Sequence, residues 1–278
     1  MEVIVAKTAG FCFGVKRAVE KVYANADKEH VYTYGPIIHN EQVVADLEKR
    51  GVKVVDEDAD LSKLPQGTIV VRAHGASRAE FDRLRACGMQ IEDATCPFVS
   101  KIYRIVEEES AAGRTVVIVG NGQHPEVKGI RGWSGEDTYV VGSAEEAKNL
   151  NILAQKISIV SQTTFNLKKF QEIVEIFEKR GYDIKCLNTI CNATEVRQTE
   201  ARQIASQVDA MIVIGGKNSS NTQKLFEICK EECGNTYYIQ NAEDMDFTAI
   251  RGMRRIGITA GASTPKNIIE EVQTRCQN

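Results

Sequence analysis

The chain runs through one pattern three times, and that repetition narrows its fold more than any other property. Cys12, Cys96 and Cys191 lie 84 and 95 residues apart, in FCFGVKRAVEKVY, TCPFVSKIYRIVEE and ICNATEVRQTEARQIA. Each stands where a strand is expected to turn into a helix. Apolar residues follow at helical spacing: Val15, Ala18, Val19, Val22 and Tyr23 after the first, Ile102, Ile105 and Val106 after the second, and Val196, Ile204 and Val208 after the third. Short apolar strands come next, VYTYG, TVVIVG and AMIVIG, and run into polar loops holding His39, His124 and Ser219. These residues lie 27, 28 and 28 positions after their cysteines. A second polar loop closes each third, with His74 in TIVVRAHGAS, Thr163 in KISIVSQTTF and Ser263 in RIGITAGAST.

Strands alternating with helices imply parallel β–α units, so the fold class is α/β. Three similar small domains are expected, over residues 8–96, 97–190 and 191–278, in a pseudo-threefold arrangement. The last third ends in the helix NIIEEVQTRC without a closing strand, whereas EVIVA precedes the first. Residues 2–7 are therefore expected to complete the third sheet. All six polar loops then lie beyond the C-terminal ends of strands, where open α/β sheets collect ligands.

Bulk composition excludes several classes. A net charge of −3 carries no basic excess for nucleic acid, and no apolar run is long enough to cross a membrane. The first residues, MEVIVAKTAGFCFG, lack the basic n-region of a secretory signal, so the expectation is a cytoplasmic protein. A monomer is expected as well. In a reducing compartment the eight cysteines are read as ligands or fillers rather than disulfides. Cys87, Cys186 and Cys276 read as small apolar fillers, and Cys229 and Cys233 as one helical turn of core or surface.

The repeated trio reads differently. A thiolate at a helix N-terminus is favoured by the positive end of the helix. Pro97 suits the first helical position, and Thr194 the cap of the third helix. Spacing alone leaves the metal open, but no CxxC or paired histidines mark a zinc site. Thiolates from distant segments suit an iron–sulfur cluster, and three of them would leave one iron of a [4Fe–4S] cluster open.

Three of the four histidines, His39, His74 and His124, fall in the polar loops, and His30 reads as surface. Ser77 to Glu80 forms a capping box, and Thr264-Pro265 has the form of a cap followed by proline. Lys217, Asn218, Ser219, Ser220 and Asn221 cluster before a helix, with Ser220 either a cap or a ligand contact. Imidazoles, hydroxyls and helix N-termini together suit phosphate oxygens. Glu126, in His124-Pro125-Glu126, is the candidate acid. Gly120-Asn121-Gly122 and Gly216-Lys217 fail as dinucleotide and P-loop motifs, which excludes NAD and ATP sites.

The segments GFCFGV, GPIIHN, RAHG, DATCP, GNGQHPEV, SQTT, RQTEAR, GGKNSSNT and TAGAST span the whole chain. In this combination the sequence resembles the 4-hydroxy-3-methylbut-2-enyl diphosphate reductase (LytB/IspH) family. The usual CYAT segment departs at one position, reading Cys191-Asn192-Ala193-Thr194. The resemblance implies a cloverleaf around a central [4Fe–4S] cluster held by Cys12, Cys96 and Cys191, with [3Fe–4S] as its degraded form. It implies diphosphate contacts from His39, His74, His124, Ser219, Ser220, Asn221 and Ser263, a proton source in Glu126, and Thr163 ordering the substrate hydroxyl. The implied reaction is the last step of the non-mevalonate (MEP) isoprenoid pathway. There (E)-4-hydroxy-3-methylbut-2-enyl diphosphate is reductively dehydrated to isopentenyl and dimethylallyl diphosphates, its hydroxyl bound at the open iron. Ferredoxin or flavodoxin is the implied electron donor. Two other readings remain at this point, a zinc-dependent phosphohydrolase using the histidines and an iron–sulfur sensor or binding module.

Overall fold

The computed structural model describes residues 1–277. The elements of the first third are β1 (Glu2–Val5), α1 (Phe13–Tyr23), β2 (Val31–Tyr34), α2 (Glu41–Lys49), β3 (Lys53–Val55), β4 (Thr68–Val71), α3 (Arg78–Ala86) and β5 (Gln90–Asp93). The second third holds α4 (Pro97–Ala111), β6 (Thr115–Val119), α5 (Pro125–Trp133), β7 (Thr138–Val141), α6 (Ala144–Asn149), β8 (Lys156–Ser161), α7 (Leu167–Glu178) and β9 (Asp183–Cys186). The last holds α8 (Asn192–Ala205), β10 (Ala210–Ile214), α9 (Ser220–Glu232), β11 (Thr236–Ile239), β12 (Arg255–Ala260) and α10 (Lys266–Gln277).

Three four-stranded sheets result, ordered β3-β2-β4-β5, β7-β6-β8-β9 and β1-β12-β10-β11, and every pairing in them is parallel. Read from β11, the third order matches the first two. The place of a fourth strand is taken by β1, which pairs with β12 in the register Glu2↔Arg255 to Val5↔Ile258. Composition explains who sits inside. The interior strands VYTY, TIVV, TVVIV and AMIVI are buried throughout, whereas β5 (QIED) and β9 (DIKC) carry charges that only an edge tolerates.

In the first two sheets the chain leaves the two interior strands in opposite directions, from β2 to β3 but from β4 to β5, and from β6 to β7 but from β8 to β9. That reversal is a topological switch point, and it opens a crevice at the C-terminal strand ends. The six polar loops read from the sequence are the ones that follow the interior strands of all three sheets.

The molecule packs as two compact units. One comprises residues 17–37 and 45–191 with the first two sheets; the other comprises residues 1–16, 38–44 and those from Asn192 onward, with the third. In the first, one face of the second sheet packs Ile157 and Ile159 against Phe170, Ile173 and Phe177 of α7. Its other face packs Val116, Ile118 and Val160 against α4 and α5. In the second unit, Ile212, Ile256 and Ile258 meet Ile268 and Val272 of α10, while Met211 and Val213 meet α8 and α9.

Several local expectations change. Thr194 lies inside α8, which starts at Asn192, so it is no cap. Val196 points outward, because α8 turns Arg197, Gln198, Ala201 and Ala205 to the interior instead. Cys186 is exposed on an edge strand and fills nothing, whereas Cys229, Cys233 and Cys276 are buried. His30 is exposed, as read from the sequence.

Candidate functional site

Each cysteine of the trio is held in the same way, within its own unit. The backbone N–H of Cys12 donates to Ala262 O at 3.3 Å, that of Cys96 to Ala73 O at 3.0 Å and that of Cys191 to Thr163 O at 3.0 Å. Every acceptor stands two residues past an interior strand, β12, β4 and β8 in turn. A helix begins directly after each thiol, at Phe13, Pro97 and Asn192. A soft thiolate at the positive end of a helix is a suitable donor for iron, so this donor set fits an iron–sulfur group.

Segment 7–10, ahead of Cys12, is tied down by the RQTEAR stretch of α8. Arg197, buried, donates to Ala260 O at 2.6 Å and to Gly10 O at 2.9 Å. Glu200 accepts the N–H of Lys7 and of Thr8 and the Thr8 hydroxyl. Burial pushes the Glu200 carboxyl up, but the Thr8 and Lys7 hydrogen bonds outweigh it and hold the group below its ordinary range. No sequence signal assigned Arg197 and Glu200 this task beyond their charge on a helix.

The first unit brings together Glu126, Thr163, His74 and His124. Pro125 opens α5, and His124 is its N-cap, with Nδ1 accepting the Glu126 N–H at 3.1 Å. That bond places the ring proton of neutral His124 on Nε2, the nitrogen suited to an anionic oxygen. The His74 ring meets His124 edge-on, with centroids 5.2 Å apart and planes at 85°. Glu126 is not the solvated loop residue that a surface reading would give. It is 2% exposed, with Oε1 accepting the Thr163 N–H at 2.6 Å and Oε2 the Thr163 hydroxyl at 2.8 Å. Burial lifts its pKa to about 7, against the lowering effect of the two Thr163 hydrogen bonds.

Tyr103 was missed by the sequence reading, which treated α4 as an apolar face alone. Its hydroxyl donates to His74 O at 3.1 Å, and its ring stacks on Trp133 at 5.4 Å. Trp133 Nε1 donates to Ala76 O at 3.0 Å, so the two aromatic residues pin the loop on either side of Gly75. Gly75 has φ +75°, and a Cβ there would strike the Tyr103 hydroxyl. Gly75→Ala is expected to destabilise the chain by about 2–4 kcal/mol, from left-handed strain plus overpacking. Urea unfolding of the cluster-free protein measures it, and a loss below 1 kcal/mol (on the order of a surface substitution) would show that the loop yields.

The second unit holds the remaining polar residues. Ser219, not Ser220, is the N-cap of α9, accepting the Thr222 N–H at 3.3 Å and the Thr222 hydroxyl at 2.9 Å. Ser263 donates to His39 O at 3.3 Å, and Gly216 lies so close to His39 O that a side chain there would collide. Thr264 bonds Ile214 O rather than capping α10. Asn221 is 5% exposed, and its Nδ2 has no hydrogen-bond partner among the described residues. A buried amide donor in that state costs stability unless a ligand completes it.

Thiols on the loops after edge strands, with imidazoles, hydroxyls and one protonatable carboxyl on the loops after interior strands, define an α/β protein equipped for a soft metal group and an oxyanionic ligand. Residues 3–277 match the family described as LytB protein, and the chain belongs to that family. A 4-hydroxy-3-methylbut-2-enyl diphosphate reductase of Caldanaerobacter subterraneus subsp. tengcongensis is 48% identical over 98% of this chain and 95% of its own length. One of Geobacter sulfurreducens is 46% identical over 100% and 97%. Among solved structures, the E-1-hydroxy-2-methyl-but-2-enyl-4-diphosphate reductase of Plasmodium falciparum superposes with a TM-score of 0.94 at 28% identity, covering 100% of this chain and 88% of that one. A second, described as the terminal enzyme of the non-mevalonate pathway, is 41% identical with a TM-score of 0.71, covering 100% and 99%. These relatives give no support to a phosphohydrolase or a sensor. No helix among the described residues is long and apolar enough to cross a membrane.

Proposed function

We propose that this chain reductively dehydrates (E)-4-hydroxy-3-methylbut-2-enyl diphosphate to isopentenyl and dimethylallyl diphosphates. Exchanging the allylic C–OH for C–H consumes two electrons and two protons and releases water. Full-length identity to reductases supports the reaction class. The observation that carries the chemistry is Glu126, a buried carboxyl raised to about 7 beside His124. At neutral pH a substantial fraction holds its proton, which suits a general acid at the leaving hydroxyl.

Cys12, Cys96 and Cys191 would hold a [4Fe–4S] cluster, which becomes [3Fe–4S] when its labile iron is lost. When bound, the cluster supplies electrons singly and Lewis-acid activation of the hydroxyl at the iron that lacks a thiolate. The chain's own residues do the rest. His39, His74, His124, Ser219, Ser220, Asn221 and Ser263 take the diphosphate, the Asn221 amide gaining the partner it lacks. Thr163 holds Glu126 through two hydrogen bonds and so fixes where its proton is delivered. A diphosphate anchored away from the breaking bond supplies orientation. Ferredoxin or flavodoxin would supply the electrons to a cytoplasmic monomer.

One anaerobic preparation tests the reading. Iron and sulfide should load together, and reduced viologen should convert the allylic diphosphate to the two products. A colourless, zinc-loaded protein, or a cluster-bearing one without diphosphate turnover, would overturn it.

A further inference from the structure

Among the described residues, the exposed large apolar side chains are Met1, Phe13, Phe98, Leu153 and Val196. Three of these five occur in the helices that follow the cysteines: Phe13 is the first residue of α1, Phe98 the second of α4 and Val196 the fifth of α8. Burying such residues is favourable, so their outward placement leaves that gain unrealised in the isolated chain. Scattered exposed apolar residues need no explanation, but recurrence beside each thiol does.

The α4 case can be followed within one unit. Phe98 is 46% exposed, two residues from Cys96, and the buried face of α4 is supplied by Val99, Ile102, Tyr103 and Val106. Lys101 and Arg104 follow Phe98 at successive three-residue steps, both exposed, and no acidic residue appears in the helix before Glu107. Arg17 of α1 adds a third cation, its guanidinium donating to Thr95 O at 3.0 Å, immediately before Cys96. None of these three is ion-paired among the described residues, whereas neighbouring Lys21 is matched to Glu92 and Glu107 to Arg78. Asp93 and Glu107 line one hollow with Arg104, the Asp93 carboxylate accepting the Thr95 N–H and Glu107 pairing with Arg78. An uncompensated basic rim around an exposed ring therefore stands out on a chain whose net charge is −3.

We propose that Phe98, Lys101, Arg104 and Arg17 form the docking surface for an acidic one-electron carrier protein, which delivers electrons at Cys96. This rests on the reductase reading, under which Cys96 is a cluster ligand. The physical case is complementarity. Cations steer an acidic partner into encounter, and a small apolar centre holds it briefly, as a short-lived redox contact requires. Phe98 gives that centre, and its place two residues from the thiol puts the contact beside the electron acceptor.

The test compares two electron sources on the holoenzyme. With reduced flavodoxin, Lys101→Glu/Arg104→Glu and Phe98→Ala should each raise the donor KM about tenfold or more, the range expected of lost steering. With reduced viologen the same variants should keep wild-type turnover within about twofold, since a small cation needs no such surface. Added salt should slow flavodoxin-driven turnover of the wild type and leave the charge-reversed variant almost unaffected. Calorimetric titration of flavodoxin onto each protein reads docking without turnover. Wild-type flavodoxin kinetics and affinity in both variants would overturn the surface, as would equal losses with viologen. Loss of self-association in Phe98→Ala, with flavodoxin affinity intact, would reassign the face to a second copy of the chain. Failure of the wild type with viologen would instead sink the reductase reading, while the titration still decides the docking.

Discussion

Glu126→Gln is expected to lose turnover by about 10²–10⁴-fold while the diphosphate affinity stays at the wild-type value. The amide keeps the geometry, because Gln Oε1 can accept the Thr163 N–H as the carboxylate does, and the Thr163 hydroxyl can rotate to accept from Nε2. What disappears is the transferable proton. The wild-type rate should fall as pH rises through about 7, the value to which burial lifts this carboxyl, and the residual rate of the variant should not share that limb. Stability carries the same signature. The folded pKa is raised from the ordinary 4.5, so the proton-linked contribution is complete below that value and is lost as pH rises through about 7. The Tm gap between Glu126→Gln and wild type should therefore widen towards alkaline pH. Turnover near wild type in the variant would remove Glu126 from the mechanism.

The second large effect belongs to the thiols. After anaerobic reconstitution, Cys96→Ala should retain almost none of the wild-type iron and sulfide, and Cys12→Ala and Cys191→Ala should behave alike. Cys186→Ala is the control, since that thiol is exposed at a sheet edge, and Cys229→Ala is a second, costing only packing. Iron and sulfide per chain decide the matter directly. A fully loaded Cys96→Ala, or an iron-free Cys186→Ala, would show that the trio has been chosen wrongly.

Much of this architecture was legible because it is repeated. A helix after each cysteine, a strand before each polar loop and a missing closing strand in the last third could all be read from spacing. Parallel sheets buried on both faces write themselves as short apolar runs. What escaped depends on the third dimension. Nothing local marks Glu126 as buried, because its burial comes from Thr163, 37 residues away. Tyr103 occupies an ordinary apolar helix position, and its hydroxyl matters only because the His74 carbonyl lies above it. Val196 was misread for the converse reason. A β-branched residue at helical spacing looks like core, but Arg197 takes the interior of α8 and secures the strand end and the segment before Cys12. The helix starts shifted by one residue at α9 and by three at α8, as helix ends are the least sharply marked part of such readings.

The pairing of β1 with β12 also sets an order of events during synthesis. Glu2 and Arg255 are 253 positions apart, so β1 leaves the ribosome long before the strand it pairs with. The first two sheets contain only strands close in the chain and can form while translation continues. The third cannot close until β12 emerges, and until then β1 and the apolar edge of β10 lack their neighbours. Nascent chains stalled before residue 255 should accordingly be the ones that chaperones hold and proteases cut, with the damage confined to residues 1–16, 38–44 and those from Asn192 onward.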